Sequence, residues 1–271
     1  MTETPRIAVI APMLNEVDAV ATLAREIGEA CAPFAPFEVI FVDDGSTDGT
    51  AEAILAAQDT HPWLRLVRHA RPCGQSAAVL SGVRAARAPI CCTLDGDGQN
   101  PPEEIPKLVA PLVNGPDALG LVAGQRVDRL DRASRKLASR AANTIRAKLL
   151  ADATRDTGCG LKAFRRDLYL ALPFFDHQHR YLPALVKREG YRVDLVDVSH
   201  RARGAGRSKY TNLGRAAVGV TDLFGVWWLI RRRRLAELLP IETRDRESRD
   251  EDEDAPETTE TTPEAARRAA E

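Results

Sequence analysis

Two aspartates, Asp95 and Asp97, stand two positions apart in the segment PICCTLDGDGQNPPEE at residues 89–104. They end an apolar run that predicts a buried strand, and the glycines beside them give a backbone too flexible to fix the carboxylates. Two carboxylates this close repel each other unless a positive charge lies between them. A divalent cation held by oxygen ligands, such as Mg²⁺ or Mn²⁺, would relieve that repulsion while bridging to a diphosphate. The pair therefore predicts a metal site.

Two other interpretations of the acidic segments fail. A calcium loop of the EF-hand type needs glycine at its sixth position and glutamate at its twelfth. A loop beginning at Asp95 would place Asn100 and Pro106 there, and one beginning at Asp44 would end on Leu55. A phosphatase motif that forms a phospho-aspartate usually opens its chain and is followed by threonine, and the segment at 95–98 does neither.

A second acidic segment, VDDGSTDGT at 42–50, ends another predicted strand. Asp43 and Asp44 stand where a carboxylate can accept hydrogen bonds from a ribose or a base. Gly45 and Gly49 permit a tight turn, and the polar residues between them can cap the next helix. By itself, this pattern is typical of any tight turn between a strand and a helix. Together with the aspartate pair about fifty residues downstream, it indicates a nucleotide site.

The elements that must position these loops alternate regularly over the first part of the chain. Apolar runs predict strands at 6–14, 37–44, 64–70 and 89–96, and helical patterns lie between them. This alternation predicts an α/β fold, a mostly parallel sheet with helices on both faces. Ligands of such sheets bind at the carboxyl ends of the strands, which is where the loops PMLNE, DDGSTDGT and DGDGQN fall.

The pattern loosens after residue 120. We interpret 120–129 as strand then loop, 132–151 as a basic amphipathic helix, and 156–172 as loop then helix. The segment YRVDLVDVSHRAR alternates like a half-buried strand and runs into the basic, glycine-rich RGAGRSKY at 203–210. His177 and His179, in DHQH, are interpreted as surface histidines because no cysteine or carboxylate cluster accompanies them.

The charge distribution and the cysteine content indicate the nature of the C-terminal tail and the cellular compartment. Residues 242–271 hold 12 acidic residues and 5 arginines, a net −7, so residues 1–241 carry about +6 of the total −1. The acidic tail has no large apolar side chain and is predicted to be disordered. Five cysteines without CxxC spacing, and an opening unlike a signal peptide, favour a reducing, cytoplasmic compartment.

The stretch AAVGVTDLFGVWWLI at 216–230 precedes four arginines at 231–234. It is shorter than the roughly 20 apolar residues of a membrane-spanning helix. Tryptophans beside an arginine run are typical of a helix that lies in the interface of an anionic membrane. The alternative is a helix that packs on the domain or on a partner. We expect residues 213–241 to form this C-terminal interfacial segment.

Over residues 5–212 the chain resembles the family 2 glycosyltransferases. PMLNE, VDDGSTDGT, LDGDGQNPPE, GQR, DTGCGLKAFRR and RGAGRSKY occur in that family's order, and the branch they resemble most is that of dolichol-phosphate mannosyltransferases and other polyprenyl-phosphate glycosyltransferases. The resemblance implies a GT-A catalytic domain at 1–212, Rossmann-like with a mostly parallel mixed sheet. It also implies metal-dependent hexosyl transfer from a nucleotide sugar.

The resemblance assigns roles to individual residues. Those of the nucleotide-sugar pocket are Pro12, Leu14, Glu16, Val42, Asp44, Asp95, Gly96, Asp97, Gln99, Arg126 and Arg140. The metal ligands are Asp95, Asp97 and Gln99, and the catalytic residues are Asp97, Arg126, Arg203 and Lys209. Arg126 and Arg140 would clamp phosphates, while Arg203 and Lys209 match a mobile loop on the acceptor side. Leu14, Gly98 and Asn100 depart from the family's usual residues.

The expected reaction is inverting transfer of a sugar, with a lean towards mannose from GDP-mannose, to a polyprenyl or dolichyl phosphate at the cytosolic face of the membrane. A phosphate acceptor is already ionised near neutral pH, since its second pKa is about 6. Expected partners are the nucleotide sugar, the lipid, and a membrane surface or small membrane protein, without nucleic acid. One alternative is a UDP-sugar or a hydroxyl acceptor, with Asp156 as general base. Another is a non-catalytic nucleotide-sugar-binding partner of a membrane protein.

Overall fold

The computed structural model describes residues 3–127, 146, 149–152, 154–201 and 212–234, with the backbone alone for 212–218. The chain divides into two compact units, Met1–Arg233 and Arg234–Glu271. Apart from Arg234, every described residue belongs to the first unit. The expected boundaries after residues 212 and 241 stay predictions, and the acidic tail at 242–271 lies outside the described residues.

Seven strands form one sheet in the order β3-β2-β1-β4-β6-β5-β7. Strand β6 is antiparallel to both of its neighbours, β4 and β5, and every other pairing is parallel. The strands are β1 (Ile7–Met13), β2 (Phe37–Asp43), β3 (Leu64–Arg68), β4 (Ile90–Thr93), β5 (Leu119–Arg126), β6 (Lys162–Arg165) and β7 (Arg192–Val198). The sheet is thus mostly parallel and mixed, as predicted.

Helices cover both faces of this sheet, because strand β1 is apolar on both sides. Ile7 and Val9 face one buried cluster, which includes residues of α1, α2 and α4, while Ala8 and Ile10 face a second, which includes residues of α3, α5, α6 and α7. The helices are α1 (Val20–Cys31), α2 (Thr50–Gln58), α3 (Gln75–Ala85), α4 (Ile105–Asn114), α5 (Arg166–Ala171), α6 (Leu182–Arg188) and α7 (Asn212–Arg232). Burial on both faces explains why the strands read as continuous apolar runs.

The interpretation of 156–172 as loop then helix is wrong over Lys162–Arg165, which form β6. A four-residue strand is too short to show the alternation that identifies longer ones. The reversal has a consequence for the site. Since β6 runs against its neighbours, the loop that precedes it lies at the edge where β4 and β5 end.

Helix α7 is longer than the apolar stretch at 216–230 and has two different faces. One face packs on the domain: Val226 is buried, Tyr181 Oη donates to the carbonyl of Gly219 at 3.2 Å, and Arg188 Nε donates to that of Leu229 at 3.0 Å. The opposite face leaves three large side chains 55–59% exposed: Val220, Phe224 and Trp228. No helix in the described part of the chain is long and apolar enough to span a membrane.

We predict that Gly82→Ala destabilises the fold. A Cβ at this position of α3 would lie 2.4 Å from Ile10 Cγ2 and 3.2 Å from Val42 Cγ2, both in the closed core beneath the helix. Overpacking of this kind costs about 1–3 kcal/mol. Gly225→Ala is the matched control, because it lies in α7 with no atom within 4 Å of its Cβ position and should gain about 0.5–1 kcal/mol. Urea unfolding measures both, and equal midpoints would contradict the packing argument.

Candidate functional site

The aspartate pair lies directly after β4, at the carboxyl edge of the parallel strands. Two neutral amides hold Asp95: Gln75 Nε2 donates to Oδ1 at 2.7 Å, and Asn100 Nδ2 donates to Oδ2 at 2.9 Å. Burial, with the charge of Asp97 adding to it, raises the pKa of Asp95 above its ordinary value. These hydrogen bonds orient Asp95 and, because both donors are neutral, add no positive charge to it.

Close backbone contacts explain two glycines around this pair. A Cβ on Gly96 would lie 2.4 Å from both Met13 Sδ and the carbonyl oxygen of Pro12, so the DGD turn rests on the end of β1. A Cβ on Gly160 would lie 2.5 Å from Asp95 Cγ and from both carboxylate oxygens. The loop before β6 thus closes over Asp95, which only glycine allows.

Two cationic side chains lie near the aspartates. Lys162, on β6, is buried, and its ammonium donates to the carbonyl oxygen of Cys159. Burial lowers the pKa of Lys162, while the charges of Cys159 and Asp95 act in the opposite direction. Arg126 ends β5 and bonds both oxygens of Asp156, at 2.5 Å from Nε and 3.0 Å from Nη2. The described structure therefore shows Arg126 paired with a carboxylate, and its use as a phosphate clamp stays a prediction.

The position of Asp156 is set by the strand end beside it. Gln125 Oε1 accepts hydrogen bonds from the backbone N–H groups of Arg155 and Asp156, at 2.9 and 3.0 Å. Asp156 Oδ1 also accepts the N–H of Gly158 at 3.1 Å. Both oxygens of Asp156 are thus occupied by the chain itself.

His200 joins this site from the end of β7. Its Nδ1 is buried and has no hydrogen-bond partner in the part of the chain that the structure describes. Burial lowers the pKa of His200, helped by the charge of Arg126, although Asp97, Asp95 and Asp156 act against that shift. The next residue, Arg201, donates its N–H to the carbonyl of Gln99 at 2.9 Å. A neutral imidazole with an open nitrogen at the same sheet edge as the aspartates is a candidate metal ligand.

The loops after β1 and β2, which the sequence predicts to bind the nucleotide, contact each other at this edge of the sheet. Asn15, at a positive φ of 56°, accepts the N–H of Thr47 on Oδ1 at 2.9 Å, and its own N–H reaches Ser46 Oγ at 2.9 Å. Asp44 accepts the N–H groups of Cys73 and Gly74, both at 2.8 Å. These bonds lock three loops together at one edge of the sheet.

The other pocket residues predicted from the sequence take different positions. Pro12 contributes its carbonyl beneath Gly96, Leu14 is partly exposed, and the N–H of Glu16 donates to Thr50 Oγ1 at 3.0 Å. Val42 requires a correction: its side chain is fully buried in the core under α3 and cannot line a pocket. Residues of a strand alternate between the two faces of the sheet. Val42 therefore points into the core on the face that α3 covers, not to the edge where the strand ends.

Some predicted residues cannot be located. Arg140, Arg203 and Lys209 lie outside the described residues. Gln99 is described, but its recorded contacts are made by its backbone: its N–H donates to Asp97 Oδ1 at 3.1 Å and its carbonyl accepts from Arg201. The assignment of its side chain to the metal stays a prediction.

The interpretation of His179 as a surface histidine is wrong. Its Nδ1 bonds Ser76 Oγ at 2.7 Å, and burial lowers its pKa well below the ordinary value. Ser76 follows Gln75, which donates to Asp95, so His179 fixes the start of α3 next to the residue that positions Asp95. His177 remains partly exposed and pairs with Asp222 of α7 at 3.3 Å.

Sequence reasoning missed four residues of the site: Gln75, Asn100, Lys162 and His200. Gln75 and His200 each follow a parallel strand, so the rule that identified the acidic loops would also have found them. Lys162 had no such signal, because β6 was not recognised. Asn100 was noted only as a departure from the family, whereas the structure shows it as a hydrogen-bond donor to Asp95.

The arrangement brings the two aspartates to the same sheet edge as the loops predicted to bind a nucleoside, with the cationic groups of Lys162 and Arg126 nearby. A metal held there could contact a diphosphate, as the sequence suggested. Activation of a leaving diphosphate is the chemistry that these groups support together.

Comparison with known proteins agrees with this geometry. The family model described as glycosyl transferase family 2 matches residues 8–172. Undecaprenyl-phosphate 4-deoxy-4-formamido-L-arabinose transferases from Pectobacterium carotovorum and Pseudomonas aeruginosa are each 35% identical over 209 and 208 residues. The matches cover 76% of this chain and only 63% and 60% of those relatives.

Solved structures share the fold. Glucosyl-3-phosphoglycerate synthase from Mycobacterium tuberculosis, with Mn²⁺ and UDP, has a TM-score of 0.60 at 20% identity, covering 83% of this chain and 80% of that one. A mannosyltransferase from Pyrobaculum calidifontis, with GDP-mannose and Mn²⁺, has a TM-score of 0.62 at 26% identity, covering 87% and 67%. With the family model spanning more than half of its length, the chain belongs to glycosyl transferase family 2 and has the GT-A fold.

Proposed function

We propose that this protein transfers a sugar from a nucleotide sugar to a polyprenyl phosphate, with inversion at the anomeric carbon, at the cytoplasmic face of a membrane. The observation that carries the proposal is the position of Asp95 and Asp97, directly after β4 at the sheet edge where the loops after β1 and β2 also end, with His200 following β7. The names of the curated relatives, which include undecaprenyl phosphate, support the acceptor class.

Asp95, Asp97 and His200 are the residues that would hold Mg²⁺ or Mn²⁺, with Gln99 as a further predicted ligand. When bound, the cation would neutralise charge that develops on the leaving nucleoside diphosphate. Gln75, Asn100 and Gly160 keep Asp95 in place for this role. Mn²⁺ in both solved relatives described above supports a divalent metal.

The state of Asp156 favours a phosphate acceptor over a hydroxyl. A hydroxyl acceptor needs a general base within reach of its proton, and Asp156 was the candidate. Its two oxygens instead bond the guanidinium of Arg126 and the N–H of Gly158. A phosphate oxygen is already ionised and needs no base, so positioning and charge stabilisation suffice.

Helix α7 provides the surface for a lipid substrate. Val220, Phe224 and Trp228 recur every four residues on its exposed face. At its C-terminal end, the guanidinium groups of Arg231 and Arg232 lie 4.7 and 6.0 Å from the ring centres of Trp227 and Trp228. Apolar side chains beside arginines suit the interface of an anionic membrane. This peripheral contact would bring the acceptor phosphate to the sheet edge.

The proposed reaction also needs a specific donor sugar. GDP-mannose remains our prediction from the sequence, and the mannosyltransferase from Pyrobaculum calidifontis supports it. The named sugar of the curated relatives is a modified arabinose, and another structural relative holds UDP. A thermal-shift panel of GDP- and UDP-sugars with Mn²⁺ tests it: GDP-mannose should give the largest stabilisation, and a larger shift with a UDP-sugar would overturn mannose while leaving the reaction class intact.

Loss of one metal ligand should abolish transfer. We predict that Asp97→Asn lowers the rate of radiolabelled sugar transfer to polyprenyl phosphate by about 10²–10³-fold, and that chelation of the wild type does the same. Asp167→Asn, which changes a carboxylate with 96% side-chain exposure on α5, is the control and should keep full activity. Undiminished transfer after chelation would disprove a metal-dependent reaction.

Gly160→Ala should impair the site without removing any of its functional groups. The new methyl group would occupy the place of the Asp95 carboxylate, and a displacement of about 1 Å near reacting groups costs on the order of 10²-fold in rate. Transfer assays and Mn²⁺ affinity measure the effect, with Gly225→Ala as the control. Wild-type Mn²⁺ affinity in Gly160→Ala would show that Asp95 is not a ligand.

The exposed face of α7 should matter for the lipid and not for the nucleotide. We predict that Phe224→Glu with Trp228→Glu reduces binding to anionic vesicles and transfer to lipid at least tenfold, since each residue buries apolar area in the interface. Nucleotide binding should not change. Leu55→Glu, at a residue 51% exposed on α2, is the control. Vesicle binding equal to that of the wild type would rule out this face as the docking surface.

A further inference from the structure

A second cluster of metal-binding side chains lies outside the Asp95–Asp97 site. Asp44 follows β2, His69 follows β3, and Cys73 lies in the loop that leads to α3. Their ligand atoms, a carboxylate oxygen, a ring nitrogen and a thiol sulfur, all lie within 4.8 Å of one another. Three different ligand types converge here from the ends of two neighbouring parallel strands.

The side chains of this cluster are held from behind by hydrogen bonds. His69 Nε2 bonds Ser81 Oγ at 2.8 Å, which directs Nδ1 at Asp44, 2.7 Å away. The oxygens of Asp44 accept the N–H groups of Cys73 and Gly74. Metal-binding histidines almost always bond their other ring nitrogen, and ligating carboxylates are hydrogen-bonded in turn. The cluster already has these supports.

We propose that Asp44, His69 and Cys73 bind Zn²⁺, with one position left for water. Thiolate and imidazole ligands favour zinc, whereas Mg²⁺ and Mn²⁺ prefer oxygen. Tetrahedral zinc with bonds of about 2.0–2.3 Å separates neighbouring ligand atoms by roughly 3–4 Å. Zinc binding therefore replaces the hydrogen bond between His69 Nδ1 and Asp44, which are 2.7 Å apart and must separate slightly, and it requires the exposed side chain of Cys73 to rotate. The thiol loses its proton to solvent, and the imidazole carries its single proton on Nε2, donating to Ser81 Oγ.

Zinc at this position would exclude the nucleotide. Asp44 is also the carboxylate that we assign to the ribose or base, so the two ligands compete for it. Their coupling is reciprocal: each weakens the other's binding by the same factor. This consequence rests on the proposed function, whereas the zinc site itself does not.

The thiol of Cys73 can be distinguished from the other four in the chain. Cys31, Cys91, Cys92 and Cys159 are buried, and Cys73 alone is exposed. Burial raises the pKa of Cys31 and Cys91 to about 12, and it raises those of Cys92 and Cys159 as well. A metal–thiolate signal in the folded protein therefore reports Cys73.

Cobalt substitution tests the site without nucleotide or transfer. Titration of the metal-free protein with Co²⁺ should produce a saturable thiolate-to-cobalt charge-transfer band in the near ultraviolet. Cys73→Ser should abolish the band, and Asp97→Asn should keep it. A missing band in the wild type, or a band that survives in Cys73→Ser, would overturn the proposal.

Ser81→Ala tests the supporting hydrogen bond with all three ligands in place. Loss of such a bond weakens metal affinity by about 10–100-fold, so competition with a chromophoric chelator should show that drop for Zn²⁺. Circular dichroism checks that the variant is folded. Unchanged zinc affinity would contradict His69 as a ligand through Nδ1.

Competition between zinc and the nucleotide is measured as the binding of a fluorescent GDP or UDP in the presence of Mg²⁺. Saturating Zn²⁺ should raise the apparent dissociation constant of the nucleotide at least tenfold in the wild type and leave it unchanged in Cys73→Ser. Equal dissociation constants with and without Zn²⁺ in the wild type would overturn the exclusion. The cobalt titration contains no nucleotide, so it tests the zinc site independently of the proposed function. If the protein failed to bind a nucleotide, the proposed function would be wrong but the result of the cobalt titration would still hold.

Discussion

The repulsion between Asp95 and Asp97 is the constraint around which this domain is arranged. Placing two carboxylates in a partly buried turn is unfavourable, and in the described part of the chain two amide groups donate hydrogen bonds to Asp95. Gln75 and Asn100 are neutral, so they fix the geometry of Asp95 without cancelling its charge. The remaining negative charge is what a divalent cation would bind.

Strand direction explains how residues far apart in sequence reach that pair. Parallel strands β1, β2 and β4 deliver the loops that follow them to one edge of the sheet. Strand β6 runs the other way, so it delivers the loop that precedes it, with Asp156 and Gly160. Beyond β6, β5 and β7 are again parallel to each other and bring Arg126 and His200. One reversed strand therefore lets both its own loop and its neighbours' ends meet at the edge that holds Asp95 and Asp97.

Much of this was visible in the sequence because it depends on local patterns. The first four strands and both acidic loops follow from apolar runs that end in polar, glycine-rich segments. The rest depends on pairing, which local patterns do not carry. Three features join segments that are separated along the chain: the burial of Val42, the bidentate contact of Arg126 with Asp156, and the hydrogen bond between His179 and Ser76. A strand pattern alone places His200 after a strand, and the parallel pairing of β7 with β5 is what brings that strand end to this edge of the sheet.

Helix α7 and the aspartate pair are joined by a short chain of contacts. Asp222 of α7 pairs with His177; two residues later His179 bonds Ser76; and the neighbouring Gln75 holds Asp95. The packed face of α7 adds Val226 and the bond from Tyr181 to the helix backbone. These contacts give α7 a defined position relative to the aspartates. In the proposed reaction such rigidity is needed, because an acceptor phosphate at a membrane surface reaches the donor only when the surface-binding helix and the catalytic edge keep a fixed separation.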